Sequence, residues 1–214
     1  MTDNFDTIRK YLITVRGIPE LAKHAGDDHV VIELIRRGKD NPDMPGANYH
    51  FKNYYIDSIE KFDKFKAEII TLCDVMRLRA YISVNKKSFK QVLKDMVAEG
   101  ARRIAGNDYN KPYAIYESCS GKNNAEIGDK FIVDVDDGLK SADEYLKLIM
   151  QCRPFSVNSK TRDNYYINKT RTGCHIVIGS FDQMTFKKLV QETYGAEFIP
   201  DIKKNHLTLL YENL

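Results

Sequence analysis

The sequence predicts an α+β fold, and three observations carry that expectation. Strand-like and helix-like stretches alternate through the first half, with apolar residues at helical spacing in the helical ones. Two later strand candidates are separated only by Thr170-Arg171-Thr172-Gly173, a connection short enough to favour an antiparallel pair. With 214 residues the chain can form one large domain or two closely packed lobes around a substantial core.

The elements follow in order. Ile8, Tyr11, Leu12 and Val15 share one side of an opening helical segment that Gly17-Ile18-Pro19 interrupts. Val30 to Ile35 reads as a strand, followed by the polar loop Arg36-Arg37-Gly38-Lys39-Asp40-Asn41-Pro42 and a second loop signal at Met44-Pro45-Gly46. Tyr49 to Ile56 is a strand rich in aromatics, after which Asp57 or Ser58 can cap a helix marked by Ile59, Phe62, Phe65, Ile69, Leu72 and Met76. Arg79 to Asn85 returns to strand character, and Ser88-Phe89 opens a helix through Val92, Leu93, Met96 and Val97 to about Ile104. Asn107 to Asp129 lacks periodicity and is rich in Asn, Gly and Ser, so it reads as a surface connection or lobe boundary. This divides the chain into an N-terminal lobe over 1–110 and a C-terminal lobe over 111–214.

The second half opens on the strand Phe131 to Val135, then a helix near Ser141 to Met150 with Ser141 or Asp143 as cap. Tyr165 to Lys169 and Cys174 to Ile178 are the paired strands, Gln183 to Tyr194 is a helix stopped by Gly195, and Leu207 to Tyr211 is a terminal strand.

Composition narrows the classes of function. A net charge of only +3 makes no bulk demand for nucleic acid, so any such binding must come from local clusters. No apolar run reaches membrane-spanning length, and the opening Met-Thr-Asp-Asn-Phe-Asp lacks the basic and apolar regions of a secretory signal, so a cytoplasmic protein without a membrane partner is expected. Cys73, Cys119, Cys152 and Cys174 contain no CxxC pair and read as isolated thiols. Cys174 and His175 are neighbours on a strand and face opposite sides, which makes them a poor nucleophile–base pair.

The run Phe131-Ile132-Val133-Asp134-Val135-Asp136-Asp137 is the most informative stretch of the chain. Strand side chains alternate, so Asp134 and Asp136 share a face while Val133 and Val135 take the other. Two like charges so close repel unless a cation neutralises them, and carboxylate oxygens suit Mg²⁺ or Mn²⁺. Asp137 faces away from that pair. Thr170, Arg171, Thr172, Gly173 and His175 bring hydroxyls, a guanidinium, a permissive backbone position and an imidazole into half a dozen residues, a set able to surround phosphate.

Together these residues resemble the archaeo-eukaryotic primase superfamily, the primase-polymerase catalytic core, in its phage- and plasmid-like forms. Phe131 to Asp136 looks like the family's hhhDhD strand, Lys169 to His175 like its small-residue-x-His motif, and Asp201 in Ile199-Pro200-Asp201-Ile202 like its third acidic residue. Val31 to Pro42 and Arg79 to Asn85 extend the likeness upstream. The resemblance implies a two-lobed fold with mixed or antiparallel sheets and a C-terminal lobe RRM-like in topology. It implies a nucleotidyltransferase acting as a DNA primase or polymerase, adding NTP or dNTP on a single-stranded DNA template, beside a helicase or other replication partner. Asp134, Asp136 and Asp201 would be both catalytic and the ligands of Mg²⁺ or Mn²⁺, with Thr170, Arg171, Thr172 and His175 on the nucleoside triphosphate. Arg36, Arg37 and Lys39 before one loop, and Lys86 with Lys87 before a helix, are the candidate nucleic-acid contacts. Lys203 and Lys204 lie close enough to Asp201 to touch phosphate.

Three alternatives stand beside this reading. Asp182 competes with Asp201 as third ligand, although the helical pattern starting at Gln183 favours it as an N-cap. His206-Leu207-Thr208-Leu209 has the HxTx form of two-histidine phosphoesterases, but neither His175-Ile176-Val177-Ile178 nor His50-Phe51-Lys52-Asn53 supplies a second copy with its threonine. A primase-like module that binds nucleotide or nucleic acid without polymerising, or only with a partner, would carry the same fold.

Overall fold

The computed structural model describes residues 1–43, 48–110, 112, 114–122, 130–136, 138–152 and 165–213. The Met44-Pro45-Gly46 loop signal and the orientation of Asp137 concern positions outside that set. The described elements make an α+β fold with two antiparallel sheets. The first is built from β1 (Thr2–Asp3), β2 (Asp28–Arg36), β3 (Tyr49–Ile56), β4 (Arg79–Ser83), β5 (Lys87–Ser88) and the last strand, and the helices that go with it are α1 (Phe5–Thr14), α2 (Ile59–Met76), α3 (Phe89–Ala105) and α4 (Ala114–Lys122). The second uses β6 (Lys130–Asp136), β7 (Tyr166–Thr170), β8 (Gly173–Gly179) and β9 (Asp201–Lys204), with α5 (Ala142–Gln151) and α6 (Gln183–Thr193). The last strand is β10 (Leu207–Glu212).

Strand order in the first sheet is β1-β10-β4-β2-β3, with β5 pairing to β2 beside this path. The C-terminal strand thus sits between β1 and β4, so the residues after 110 do not all lie with the second sheet. In the second sheet the order is β7-β8-β6-β9, with every neighbouring pair antiparallel and the described elements running β6-α5-β7-β8-α6-β9.

Helix ends follow the chemistry of their flanking residues. Ser58, rather than Asp57, caps α2 by accepting from the Lys61 N–H; Ser88 caps α3; Ser141 and Glu144 form a reciprocal capping box on α5. Asp182 caps α6 by accepting from the N–H groups of Met184 and Thr185, each at 3.0 Å, so it is a helix cap rather than a member of the acidic site.

Two apolar cores result. Ile32, Leu34, Ala80 and Ile82 of the first sheet pack against Ile8, Leu12, Ile59, Phe62 and Ile69 of α1 and α2. Val133, Val135, Ile176 and Ile178, one face of the second sheet, pack against Tyr145 and Ile149 of α5 and Phe186 and Val190 of α6. Each fully buried Val, Leu, Ile or Phe side chain among these stabilises by about 1.5–3 kcal/mol.

The opposite face of the second sheet changes character along its strands. The row Tyr166–Val177–Ile132 is apolar and packs toward the first core, with the Tyr166 and Tyr11 rings 4.2 Å apart. The next row, Asn168–His175–Asp134, is polar. One end of this face therefore joins the sheets and the other opens into a cleft. Buried asparagines stitch the junction: Asn4 Nδ2 donates to the carbonyls of Lys169 (2.9 Å) and Leu209 (3.1 Å), and Asn85 exchanges hydrogen bonds of 3.2 Å with the Lys130 backbone.

The stretch expected to be a surface connection or lobe boundary, Asn107 to Asp129, also contains α4, whose Tyr116 ring meets Tyr55 edge-on at 5.2 Å. In α3 the apolar stripe is largely solvent-facing: Val92 is buried, whereas Leu93, Val97 and Ile104 are exposed. No described helix is long and apolar enough to cross a membrane.

Candidate functional site

The cleft between the sheets has a volume of about 700 Å³. Its lining brings together Arg37 and Lys39 from the loop after β2, Asp134 and Asp136 from β6, Thr170, Arg171 and Thr172 at the β7–β8 turn, and His175 from β8. Residues far apart in sequence meet because of antiparallel register. Asp134 stands opposite His175 on one side and Asp201 on the other, and Asp136 stands opposite Gly173.

Gly173 has no substitute at this point. A Cβ built there lies 1.9 Å from the Val135 carbonyl oxygen, and φ is +156°. The absent side chain lets β8 approach β6 beside Asp136 while the Arg171-Thr172 turn closes the hairpin.

Asp134 is the electrostatic centre. His175 Nε2 lies 3.2 Å from its Oδ1, and Lys203 Nζ donates to its Oδ2. The His175 hydrogen bond holds this carboxyl well below the usual carboxylate range; burial opposes the effect and Lys203 reinforces it. On the other side of the strand, burial and then the Asp134 charge push the Cys174 thiol up, so Cys174 is no activated nucleophile.

A second charged cluster forms the opposite wall. The Arg79 guanidinium lies between two nearly buried carboxylates, with Nε 2.8 Å from Asp40 Oδ2 and 3.1 Å from Glu212 Oε2. Arg171 reaches across from the β7–β8 turn, its Nη1 3.3 Å from Asp40 Oδ1. One guanidinium against two carboxylates leaves a buried negative charge, and Arg171 completes the balance. The described lining carries five Lys and Arg side chains against three Asp, a surplus suited to a polyanion.

The remaining expected residues lie elsewhere. Asp201 keeps its register position opposite Asp134 but is exposed and outside the cleft lining. Arg36 stacks over the Tyr49 ring, 5.4 Å from its centre, also outside the lining. Lys86 and Lys87 do not form an open basic patch: Lys86 Nζ is 2.8 Å from Asp28, and Lys87 Nζ donates to the Ser120 carbonyl. Burial also pushes the Lys87 ammonium pKa down.

Sequence reasoning did not place Asp40, Arg79, Tyr81 or Asn48 in the site, although all four line the cleft, and His206, singled out there only for the HxTx alternative, lines it as well. Asp40 sits in a loop whose obvious signal was basic, and Arg79 reads simply as the first residue of a strand. Thr208 of the HxTx segment is buried and hydrogen-bonded to His175 and Asn168.

The donor set can be tested against the implied cation. Mg²⁺ is commonly held by one or two carboxylates with substrate phosphates completing its shell. Asp134 and Asp136 offer such a pair on the cleft wall, and the Lys203 ammonium shows that a cation is already favoured at Asp134. Among the described residues no group of three or more His, Cys, Asp or Glu side chains converges into a protein-only cage. The pair fits a substrate-bridged divalent ion.

No protein-family model, curated protein or solved structure matches this chain. The functional reading therefore rests on the residues themselves.

Proposed function

We propose that the chain is a metal-dependent nucleotidyltransferase of the primase-polymerase type, adding NTP or dNTP on a single-stranded DNA template. The observation that carries this reading is the meeting in one basic cleft of the Asp134/Asp136 pair with Thr170, Arg171, Thr172 and His175. The strand order β7-β8-β6-β9, joined through α5 and α6 as β-α-β-β-α-β, supports the RRM-like C-terminal lobe expected of such a core.

In this reading Asp134 and Asp136 hold Mg²⁺ or Mn²⁺, with Asp201, in register across from Asp134, as an outer carboxylate. A bound divalent ion supplies charge neutralisation for the polyphosphate and its transition state. Arg171, His175 and the Thr170 and Thr172 hydroxyls orient the triphosphate by donating to its oxygens. Lys203, paired with Asp134, would be free to turn to a phosphate oxygen if Asp134 held the ion. The primer 3′ hydroxyl oxygen would then attack the α-phosphorus, its proton passing to water, as the bond from that phosphorus to the α–β bridging oxygen breaks and pyrophosphate leaves. Arg37 and Lys39 at the cleft mouth meet template or primer phosphates.

The test is incorporation of labelled NTP and dNTP on single-stranded templates, with and without primer, under Mg²⁺ or Mn²⁺. Template-dependent product that vanishes in a folded Asp134→Asn/Asp136→Asn variant is expected. Absence of product under every condition, from a chain that still binds metal and nucleotide, would move the reading to a binding module or a partner-dependent enzyme.

A further inference from the structure

The buried polar chain behind His175 carries a direction that can be worked out bond by bond. Asn168 and Thr208 are both fully buried, one on β7 of the second sheet and the other on β10 of the first. Asn168 Nδ2 lies 2.7 Å from Thr208 Oγ1 and also against the Leu209 carbonyl. A carbonyl can only accept, so the amide NH₂ end must face this pair, and Thr208 Oγ1 receives a hydrogen bond from Asn168. The hydroxyl has one proton of its own, and His175 Nδ1 is 2.9 Å away. At the other end of the ring, Nε2 lies 3.2 Å from Asp134 Oδ1, and a carboxylate can only accept. The carboxylate therefore requires a proton on Nε2; the Thr208 hydroxyl, with one proton and a second lone pair, can meet Nδ1 either way, and in a neutral ring Nδ1 is left as the acceptor.

We propose that Thr208 is a positioning residue that locks His175 as an Nε2–H donor facing the cleft. With Nε2 holding the proton toward Asp134, the hydroxyl that Asn168 orients gives its own proton to Nδ1, and this holds the ring's orientation as well as its tautomer. His175 therefore offers the cleft a hydrogen-bond donor without needing a positive charge, and it has no lone pair there with which to act as a base. Because Thr208 belongs to the first sheet and His175 to the second, the lock forms only when the two sheets are docked. Its consequence for nucleotide binding rests on the reading of the cleft given above; the tautomer does not.

Ring-¹⁵N NMR of the full chain with labelled histidine, whose shifts distinguish each neutral tautomer from the imidazolium, reads the tautomer directly. The His175 signals are assigned by their loss in His175→Gln. Asp134→Asn removes the carboxylate that also demands a proton on Nε2, since an asparagine amide can either donate or accept. The expected result is that Asp134→Asn keeps the Nε2–H pattern, Asp134→Asn/Thr208→Val shows averaged shifts from both tautomers, and Asp134→Asn/Thr208→Ser restores the single form. Averaged shifts already in Asp134→Asn, or an unchanged single form in the valine variant, would overturn the lock. In the second arm, Thr208→Val alone should weaken binding of Mg²⁺-ATP by about tenfold while Thr208→Ser leaves it unchanged. A tautomer that responds as expected with ATP affinity untouched would support the lock and sink the assignment of His175 to the nucleotide.

Discussion

His29 offers a quantitative test of how this chain couples protonation to folding. It is completely buried, with its ring stacked on Phe89 at 3.7 Å and 15° and Tyr55 edge-on at 5.8 Å. Burial pushes the imidazole pKa down from 6.5 to about 4, only partly offset by the Asp27 backbone. Between those two pH values the unfolded chain binds a proton that the folded chain refuses, so stability rises with pH across the window. The contribution is fully present above pH 6.5 and is lost as the pH falls through about 4. At about 1.4 kcal/mol per pH unit, the loss is about 3 kcal/mol. His29→Phe keeps an aromatic ring against Phe89 and has no proton to bind. Urea unfolding of both proteins from pH 7.5 to 4 measures the difference, and comparing slopes rather than absolute stabilities removes the change in packing. The wild-type curve should fall relative to the variant below pH 6.5. Parallel curves would show that His29 is protonated as easily in the folded chain as in the unfolded one, and would refute the argument from burial.

Three further outcomes follow from the site and its supports. Gly173→Ala forces a methyl into the Val135 carbonyl and should cost about 2–4 kcal/mol, with disruption centred on the β6–β8 ladder; hydrogen exchange of the Val135 and Cys174 amides locates it, and a wild-type pattern would sink the idea. Asp40→Ala leaves Arg79 balanced by Glu212 and releases the half-exposed Arg171 from the far wall, so a loss of about 1.5–3 kcal/mol from the missing charge-assisted hydrogen bond is expected in chemical denaturation, against near-neutrality if the cluster is solvated. Ser141→Ala removes one half of the α5 capping box and should lower stability by about 1 kcal/mol in the same assay, with no effect on binding in the distant cleft.

Much of the local structure was legible because its causes are local. Tyr49–Ile56 has the aromatic content of a strand, Ser58 and Ser141 cap the helices they precede, and Arg171-Thr172 is the two-residue turn that makes β7 and β8 an antiparallel pair. The facing of Asp134 and Asp136 also follows from the two-residue strand period, and both do line the cleft. Helix α4 escaped because a short segment without strong apolar periodicity gains its helical state from packing, here against α3 and Tyr55. The partners of Lys86 and Lys87 were hidden for a related reason: a run of lysines says nothing about whether Asp28 or the Ser120 carbonyl will be waiting.

What only the tertiary structure decided is which distant residues share a wall. By itself the sequence determined the alternation of the acidic strand, the hairpin that follows it and most helix boundaries, all set by interactions within a few residues. It could not place β10 between β1 and β4, because strand pairing across more than a hundred residues leaves no periodic trace in either strand. That pairing puts Thr208 behind His175 and Glu212 beside Arg79, and the docking of the two sheets brings Asp40 within reach of Arg171. The residue types at this site were written in the chain; their partners came from two sheets closing on one another, where burial makes each unpaired charge or hydrogen bond costly enough to select the match.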